Sequence, residues 1–424
     1  MRPDIDYQEI PLPDYLPPDT LKVSTWLGAL EAFRSSKLLM EPRLFPELNG
    51  GTFISMDGRE HIVRRRLFNA LVRPSAIEYY CESVIPAAIH SVMAEVLANP
   101  RPDGLHEADL LEILHKIFIT LAAVMGGLEG VTSVEGREEL RQLDSAYHQG
   151  VHAKWLSSSK RAEAVTKALA AKKEYQERFF APSCAARKVD LASAEGGEVT
   201  TADRPACAIA LMARDPHYED HEDLMLVETL AIFDAAVNTS TQNLANTIDE
   251  LADWFDAQPE DYSLRCDTEF LSGAIWEALR LHTNGPVAVR VAAEDFESST
   301  GEKVSKGQSV TIFHRRANRD QAIYGADANS FNPRRYQTLP PDIPAYGMAF
   351  GGGAHMCLGQ RLIIGNDGTN GASILILRAL FESGIRLDPE QPPKRMDAYR
   401  DPFVTYPVIF SDPAKKGAKG PWSP

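Results

Sequence analysis

From Leu224 to Asp256 the chain runs for 33 residues without a glycine or a proline, and nothing else in it limits the fold as strongly. At 1.5 Å of rise per residue the run makes a helix of about 50 Å. That would be the longest element of the protein. Its ends are apolar with helical period, but its middle reads Asn238-Thr-Ser-Thr-Gln-Asn243, all polar and mostly poor helix formers. Either this patch faces solvent, or a buried helix carries polar groups for a reason.

A second constraint is Phe350-Gly-Gly-Gly-Ala-His-Met-Cys-Leu-Gly359. Three glycines let the backbone turn tightly and approach a flat ligand without side-chain clash, and an apolar run (Leu362 to Ile364) begins just after the cysteine. The stretch reads as a loop feeding a helix. A sulfur at a helix N-terminus is favoured as thiolate by the N-H groups and the helix dipole, so Cys357 is a metal ligand or a nucleophile. The bland alternative is a buried structural cysteine in a glycine-rich turn.

These ten residues resemble, in full, the haem-binding loop of the cytochrome P-450 superfamily, Phe-Gly-x-Gly-x-His/Arg-x-Cys-x-Gly. The resemblance implies a haem b (iron protoporphyrin IX) with Cys357 as axial thiolate, seated on a loop that includes Phe350 and Gly351, and His355 facing a propionate. In the long run, Ala235-Ala-Val-Asn-Thr239-Ser aligns with the family's oxygen-binding groove, with Ala236 for the usual glycine and Asn238 for the usual acid. Thr239 then holds oxygen and water. Asp234, one turn before Asn238 on the same side, is the candidate to replace the missing acid in proton delivery.

Asp57-Gly-Arg-Glu-His-Ile-Val-Arg-Arg-Arg-Leu-Phe resembles the helix that runs along one side of the haem. His61 and Arg65, four apart, share a face and serve as propionate donors in that reading. Arg59, Arg66 and Arg73, at intervals of seven, are expected close together on another face, where they suit an acidic electron-transfer partner. Glu277-Ala-Leu-Arg280 and the Arg335 of Phe331-Asn-Pro-Arg-Arg match the family's buried Glu-x-x-Arg pair and its second arginine. Pro286-Val-Ala-Val-Arg290-Val alternates like a strand, with Arg290 matching a propionate-binding arginine. Glu302 to Phe313 reads as a hairpin region.

Elsewhere the chain is mostly amphipathic helix, with clear patterns at Leu105 to Leu128 and Lys160 to Phe180. A short helix is expected around Ser24 to Leu39, and Pro42 to Met56 reads as a connection. Residues 1–60 are expected as an N-terminal cap segment, irregular as far as Pro18 because of five prolines. The N-terminal portion is shorter than usual in the family, so the outer sheet is expected to be reduced. His148 and His152 have metal-ligand spacing, but with no third ligand nearby in sequence they read as structural or exposed. Val189 to Arg204 reads as a loop, Gly365 to Gly371 as a break in a helix, and residues 411–424 as a loose tail.

The expected fold is therefore mainly α with a small β portion, one P-450-like domain over residues 1–424 with its long helix over the haem. A net charge of -15 and a pI near 5.3 argue against nucleic acid or an anionic membrane as the main partner. The sequence has no run of about 18 apolar residues and no basic, apolar leader, so neither membrane anchor nor signal peptide is expected. Five scattered cysteines without a Cys-x-x-Cys pair fit a reducing cytoplasm. By resemblance the activity is a bacterial-type monooxygenase, fed electrons from NAD(P)H through a ferredoxin and its reductase, acting on a small or medium apolar substrate. Phe53, Phe233, Ala235, Val287, Val289 and Phe403 are the candidate pocket lining. A peroxide-driven or non-hydroxylating relative and a non-catalytic haem sensor are the alternatives.

Overall fold

The absence of helix breakers after Glu222 has the expected result: one helix runs from Glu222 to Ala257, 36 residues, with Glu222 and Asp223 in its first turn, where the helix dipole favours acids. The computed structural model describes residues 16–193, 205–299, 301–396 and 402–411. Most of the irregular start, residues 194–204 of the expected Val189 to Arg204 loop and nearly all of the 411–424 tail lie outside the described residues, while 189–193 are the end of a helix instead of loop.

In chain order the helices that matter for the site are α1 (Trp26–Arg34), α2 (Gly58–Phe68), α3 (Leu110–Gly126), α4 (Val134–Val151), α5 (Ser158–Tyr175), α6 (Ala181–Ser193), α7 (Glu222–Ala257), α8 (Thr268–Leu281), α9 (Gln360–Ile364) and α10 (Ala372–Glu382). The strands are β1 (Leu21–Val23), β2 (Leu38–Met40), β3 (His106–Asp109), β4 (Ala288–Ala292), β5 (Ser309–Ile312), β6 (Ile385–Leu387) and β7 (Pro407–Phe410), with two short pairs besides. This is the mainly α fold with a small β portion. Among the described residues no helix is long and apolar enough to cross a membrane.

The chain gathers into two compact units. One comprises residues up to Pro42, Asn246–Cys357 and Met396–Pro402; the other comprises Arg43–Ala245, Leu358–Arg395 and the rest of the C-terminus. In the first unit, a mixed sheet ordered β1-β5-β4-β2 packs its apolar face against Trp26, Ala29 and Ala32 of α1. Two N-terminal strands thus enter this sheet. The helix expected to reach Leu39 stops at Arg34, because Ser35 is extended and Leu38–Met40 pairs with Arg290–Ala292. Nor is Glu302 to Phe313 a hairpin of its own: Lys303–Val304 pairs with Phe296–Glu297, and β5 pairs with β4 and β1.

In the second unit, caps set the helix starts. The Asp109 carboxylate accepts from the Leu111 N-H before α3, and Ser133 Oγ accepts from the Gly136 N-H before α4. Gly127 ends α3 in a left-handed conformation (φ 87°), where a Cβ would lie 2.3 Å from Cys207 Sγ. The Lys160 to Phe180 pattern is part of a longer run, α5 continuing through a π turn into α6. Between α9 and α10 the break is built by Gly365 (φ 91°), Gly368 (φ 81°) and the Asp367 carboxylate, which accepts from the N-H groups of Thr369 and Asn370. Those two hydrogen bonds satisfy donors that a continuous helix would have used.

Candidate haem site

The loop around Cys357 belongs to the first unit. Its ends are drawn together by the Cys357 N-H, which donates to the Phe350 carbonyl at 2.8 Å. Gly351 and Gly353 adopt φ of +66° and +64°, which side chains rarely tolerate. A Cβ at Gly353 would sit 2.2 Å from the Phe33 carbonyl oxygen, and one at Gly352 would sit 3.1 Å from Phe33 Cβ. So two of the three glycines let the loop lie against α1, and only Gly351 keeps open space, its nearest neighbour being 3.8 Å away. Cys357 itself is exposed, at the entrance to α9.

Burial separates Cys357 from three of the other cysteines. It pushes the Cys81 thiol up to about 11 and also raises Cys184 and Cys207. Each is thereby held toward the protonated form, which is a poor metal ligand.

The same unit carries Arg290 on β4, Val287 and Val289 beside it, and His355 in the loop. Arg290 is buried, donates to the Val289 carbonyl at 2.9 Å and lies over the Phe33 ring at 5.8 Å. His314, whose ring is 4.8 Å from Phe33, has both ring nitrogens buried with no hydrogen-bond partner. Burial, and then the positive charge of Arg290, lower its pKa to about 3. A neutral imidazole with two unused nitrogens beside a buried arginine is an unusual residue to leave in a core. An exposed thiol for iron, with an arginine and orphaned imidazole nitrogens suited to an anionic carboxylate, fits the donor needs of a haem.

Still in the first unit, the structure brings Glu277, Arg280 and Arg335 together. Arg280 meets Glu277 through two hydrogen bonds of 2.6 and 2.8 Å, and Arg335 Nε donates to Glu277 Oε1 at 2.8 Å. Asp267 caps α8 by accepting from the Phe270 N-H, which starts the helix that presents the pair.

In the second unit α2 is a helix, but its faces differ from expectation. His61 is buried, its Nδ1 2.7 Å from the Phe53 carbonyl, while Arg65 is half-buried. Arg73 does not join Arg59 and Arg66 on one helical face. The helix ends at Phe68, a 3-10 turn follows, and Arg73 is extended at the start of the next helix. All three arginines are exposed.

The basic residue that α2 buries is Arg64, which sequence reasoning passed over. It donates to the Gly51 carbonyl at 2.8 Å and lies 3.4 Å from Glu228 of α7. Glu228 also accepts from the Phe53 N-H at 2.9 Å and the Tyr218 hydroxyl at 3.2 Å. Burial pushes Glu228 up to about 7 against the pull of these donors. A carboxyl raised on folding stabilises fully below its unfolded value, near 4.5, and loses that contribution as pH rises through about 7. Glu228→Gln should match the parent at pH 4.5 and exceed it by about 3 kcal/mol at pH 8. Urea midpoints at the two pH values check this, and a variant weaker at pH 8 would refute it.

The polar middle of α7 is buried, not solvent-facing: Asn238, Ser240, Thr241 and Asn243 are all under 10% exposed. Two of its amides make long-range bonds. Asn238 Nδ2 donates to Asp144 Oδ2 at 2.8 Å and approaches Asp234 Oδ1 at 3.4 Å, while the Gln242 amide pairs with both backbone groups of Phe403. Asp234 and Asn238 thus meet on one face. Thr239 is on another, half-buried, its hydroxyl donating to the Ala235 carbonyl at 2.6 Å. Phe53 and Phe233 are core residues, packed on Phe68 and Tyr175, whereas Ala235 is exposed. Phe403 is buried under Arg395 and Tyr406.

Comparison with known proteins agrees with this geometry. A family model described as Cytochrome P450 matches residues 239–363. Luteothin monooxygenase of Streptomyces thioluteus is 30% identical over 203 residues, 47% of this chain and 44% of that protein. Cytochrome P450 52A5 of Candida maltosa is 34% identical over 142 residues, 30% of this chain and 26% of that protein. The chain thus spans less than half the length of these curated relatives. The fold of substrate-free CYP109E1 from Bacillus megaterium matches with a TM-score of 0.70 at 17% identity, over 95% of this chain and 97% of that one. Residues 239–363 thus match the Cytochrome P450 family model, and the fold is that of solved cytochromes P450.

Proposed function

We propose that this protein is a haem-thiolate monooxygenase, which places one oxygen atom of dioxygen in a small or medium apolar substrate. The observation that carries the reading is Cys357, an exposed sulfur on a loop tied at its base and braced against α1. Cys357 would hold the haem iron, with Arg290 and His355 as donors to its propionates, and by resemblance His61 and Arg65 as further donors. A thiolate-ligated haem supplies dioxygen activation, the sulfur favouring O-O cleavage. The chain's own part is to move protons and order water. Thr239 has a hydroxyl for that purpose, and Asn238 can orient water but cannot release a proton as a carboxyl does. Asp234, 2.6 Å from His148 Nδ1, can hold one at Oδ1.

The test is consumption of NAD(P)H and oxygen by the purified protein with a ferredoxin and its reductase, across terpenes, steroids, fatty acids and aromatic ethers. Substrate-dependent consumption with a hydroxylated or dealkylated product supports the reading, and haem without turnover on any of them would favour a sensor. A peroxide-driven reaction is the second reading, favoured by Asn238, whose amide is committed to two carboxylates. Added hydrogen peroxide would then give faster product formation than oxygen with reductant.

Electrons would come from separate proteins, and the exposed Arg66 and Arg73 suit an acidic donor. Reversing both charges should slow reduction by a ferredoxin about tenfold at low salt and flatten its salt dependence, with substrate affinity unchanged. Stopped-flow reduction at two ionic strengths checks this. An unchanged rate at low salt removes these arginines from the docking surface.

A further inference from the structure

His148 and His152 lack a third ligand in their own stretch of sequence, but the fold supplies one. His148 is in the last turn of α4 and His152 is its cap residue, so the imidazoles share one side of the helix end, ring centroids 4.3 Å apart. Asp234 of α7 faces both: Oδ1 is 2.6 Å from His148 Nδ1, and Oδ2 is 3.8 Å from His152 Nε2. One ligand atom from each residue lies within 4.8 Å of the other two. Donors around a tetrahedral zinc, about 2.0–2.2 Å from the ion, are roughly 3.4 Å apart, so small side-chain rotations close this triangle on one metal.

What lies behind the triad also points to a cation. Asp144 is buried, its Oδ1 has no hydrogen-bond partner, and its Oδ2 accepts from the Asn238 amide that also reaches Asp234. The Asn238 amide thus links the two carboxyl groups, and the buried Asp144 Oδ1 beside them still lacks a donor or a cation. An amide that fixes a ligating carboxylate is the usual support of a metal site. The imidazoles are 23% and 30% exposed, which leaves room for entry and for a water ligand.

We propose that His148, His152 and Asp234 bind one divalent transition-metal ion of the zinc type, oriented by Asn238 and Asp144, tying the end of α4 to α7 one turn before Asn238. Two nitrogens and one carboxylate select such ions over magnesium or calcium, which want oxygen ligands. The proposal does not rest on the haem reading. Its test uses the 424-residue protein as purified, stripped of loosely held metals with a chelator and titrated with zinc against a chromophoric competitor, in parallel with Cys357→Ser. The Cys357→Ser variant keeps the exposed sulfur out of the competition whether or not haem is bound.

One equivalent of tightly bound zinc is expected, with Asp234→Asn and His148→Ala each weakening it at least about tenfold. His148→Ala/His152→Ala together should abolish it. Circular dichroism identifies any variant that fails to fold, and in that case His152→Gln, a change at the partly exposed helix end, carries the test with the same expected loss. No zinc on the folded parent, or the same affinity in the folded variants, would overturn the proposal.

Discussion

Cys357→Ala should abolish the red-shifted Soret band that the ferrous carbon monoxide adduct of a thiolate-ligated haem displays. The effect is all-or-none because three of the four other cysteines are poor substitutes and Cys266 lies outside the glycine-rich loop. Cys184 is buried, Cys81 and Cys207 are partly buried, and burial holds all three toward the thiol form. The loop itself should survive the change, since its closure depends on the Cys357 N-H and the Phe350 carbonyl, which alanine keeps. Cys357→Ser is the finer version, retaining shape and polarity while replacing a soft ligand by a poor one. Carbon monoxide difference spectra of the parent, both variants and a Cys207→Ser control decide the matter. A red-shifted band that persists in Cys357→Ala would put the iron ligand elsewhere.

Much of this was legible in the sequence where it depends on contiguous residues. The long helix follows from a run without breakers, and the Cys357 loop from ten consecutive residues. The break at Gly365 to Gly371 was visible for the same reason. What the sequence hid is long-range. Arg64 and Glu228 are 164 residues apart, and nothing at either position marks the other as its partner. Asp234 completes the histidine pair from 86 residues away, so the pair looked incomplete. The end of α1 is not marked locally, because Leu38–Met40 is captured by β4, a sheet contact that overrides local helical propensity. The interval of seven from Arg66 to Arg73 crosses a helix end at Phe68 that the spacing does not mark. The Glu277, Arg280 and Arg335 grouping came from family resemblance; spacing alone marks an ordinary surface pair.

That grouping carries the largest expected effect on stability. Glu277 and Arg280 are 2% and 0% exposed, Arg335 is 5% exposed, and the charges sit where water cannot compensate for a lost partner. Arg280 spends its remaining nitrogen on the carbonyls of Asn318 and Ala328, at 2.6 and 2.7 Å, and Arg335 reaches Tyr324, Asp327 and Ser330. Glu277 itself joins α8 to Arg335 and to the Asn332 N-H, from which it accepts at 3.2 Å. Glu277→Gln keeps the size but removes the negative charge between two buried guanidinium groups. The expected loss is about 3–5 kcal/mol, the scale for breaking a buried ion pair from one side. Against a whole-domain stability of about 5–15 kcal/mol, such a variant would accumulate poorly at 37 °C. Arg280→Met should cost a similar amount, and Glu277→Leu/Arg280→Met less than the sum of the singles, because only Arg335, which keeps Asp327, then loses a partner. Urea unfolding of the three variants measures all of this. A loss below about 1 kcal/mol for Glu277→Gln would mean that Asp327 and the carbonyls hold both arginines unaided.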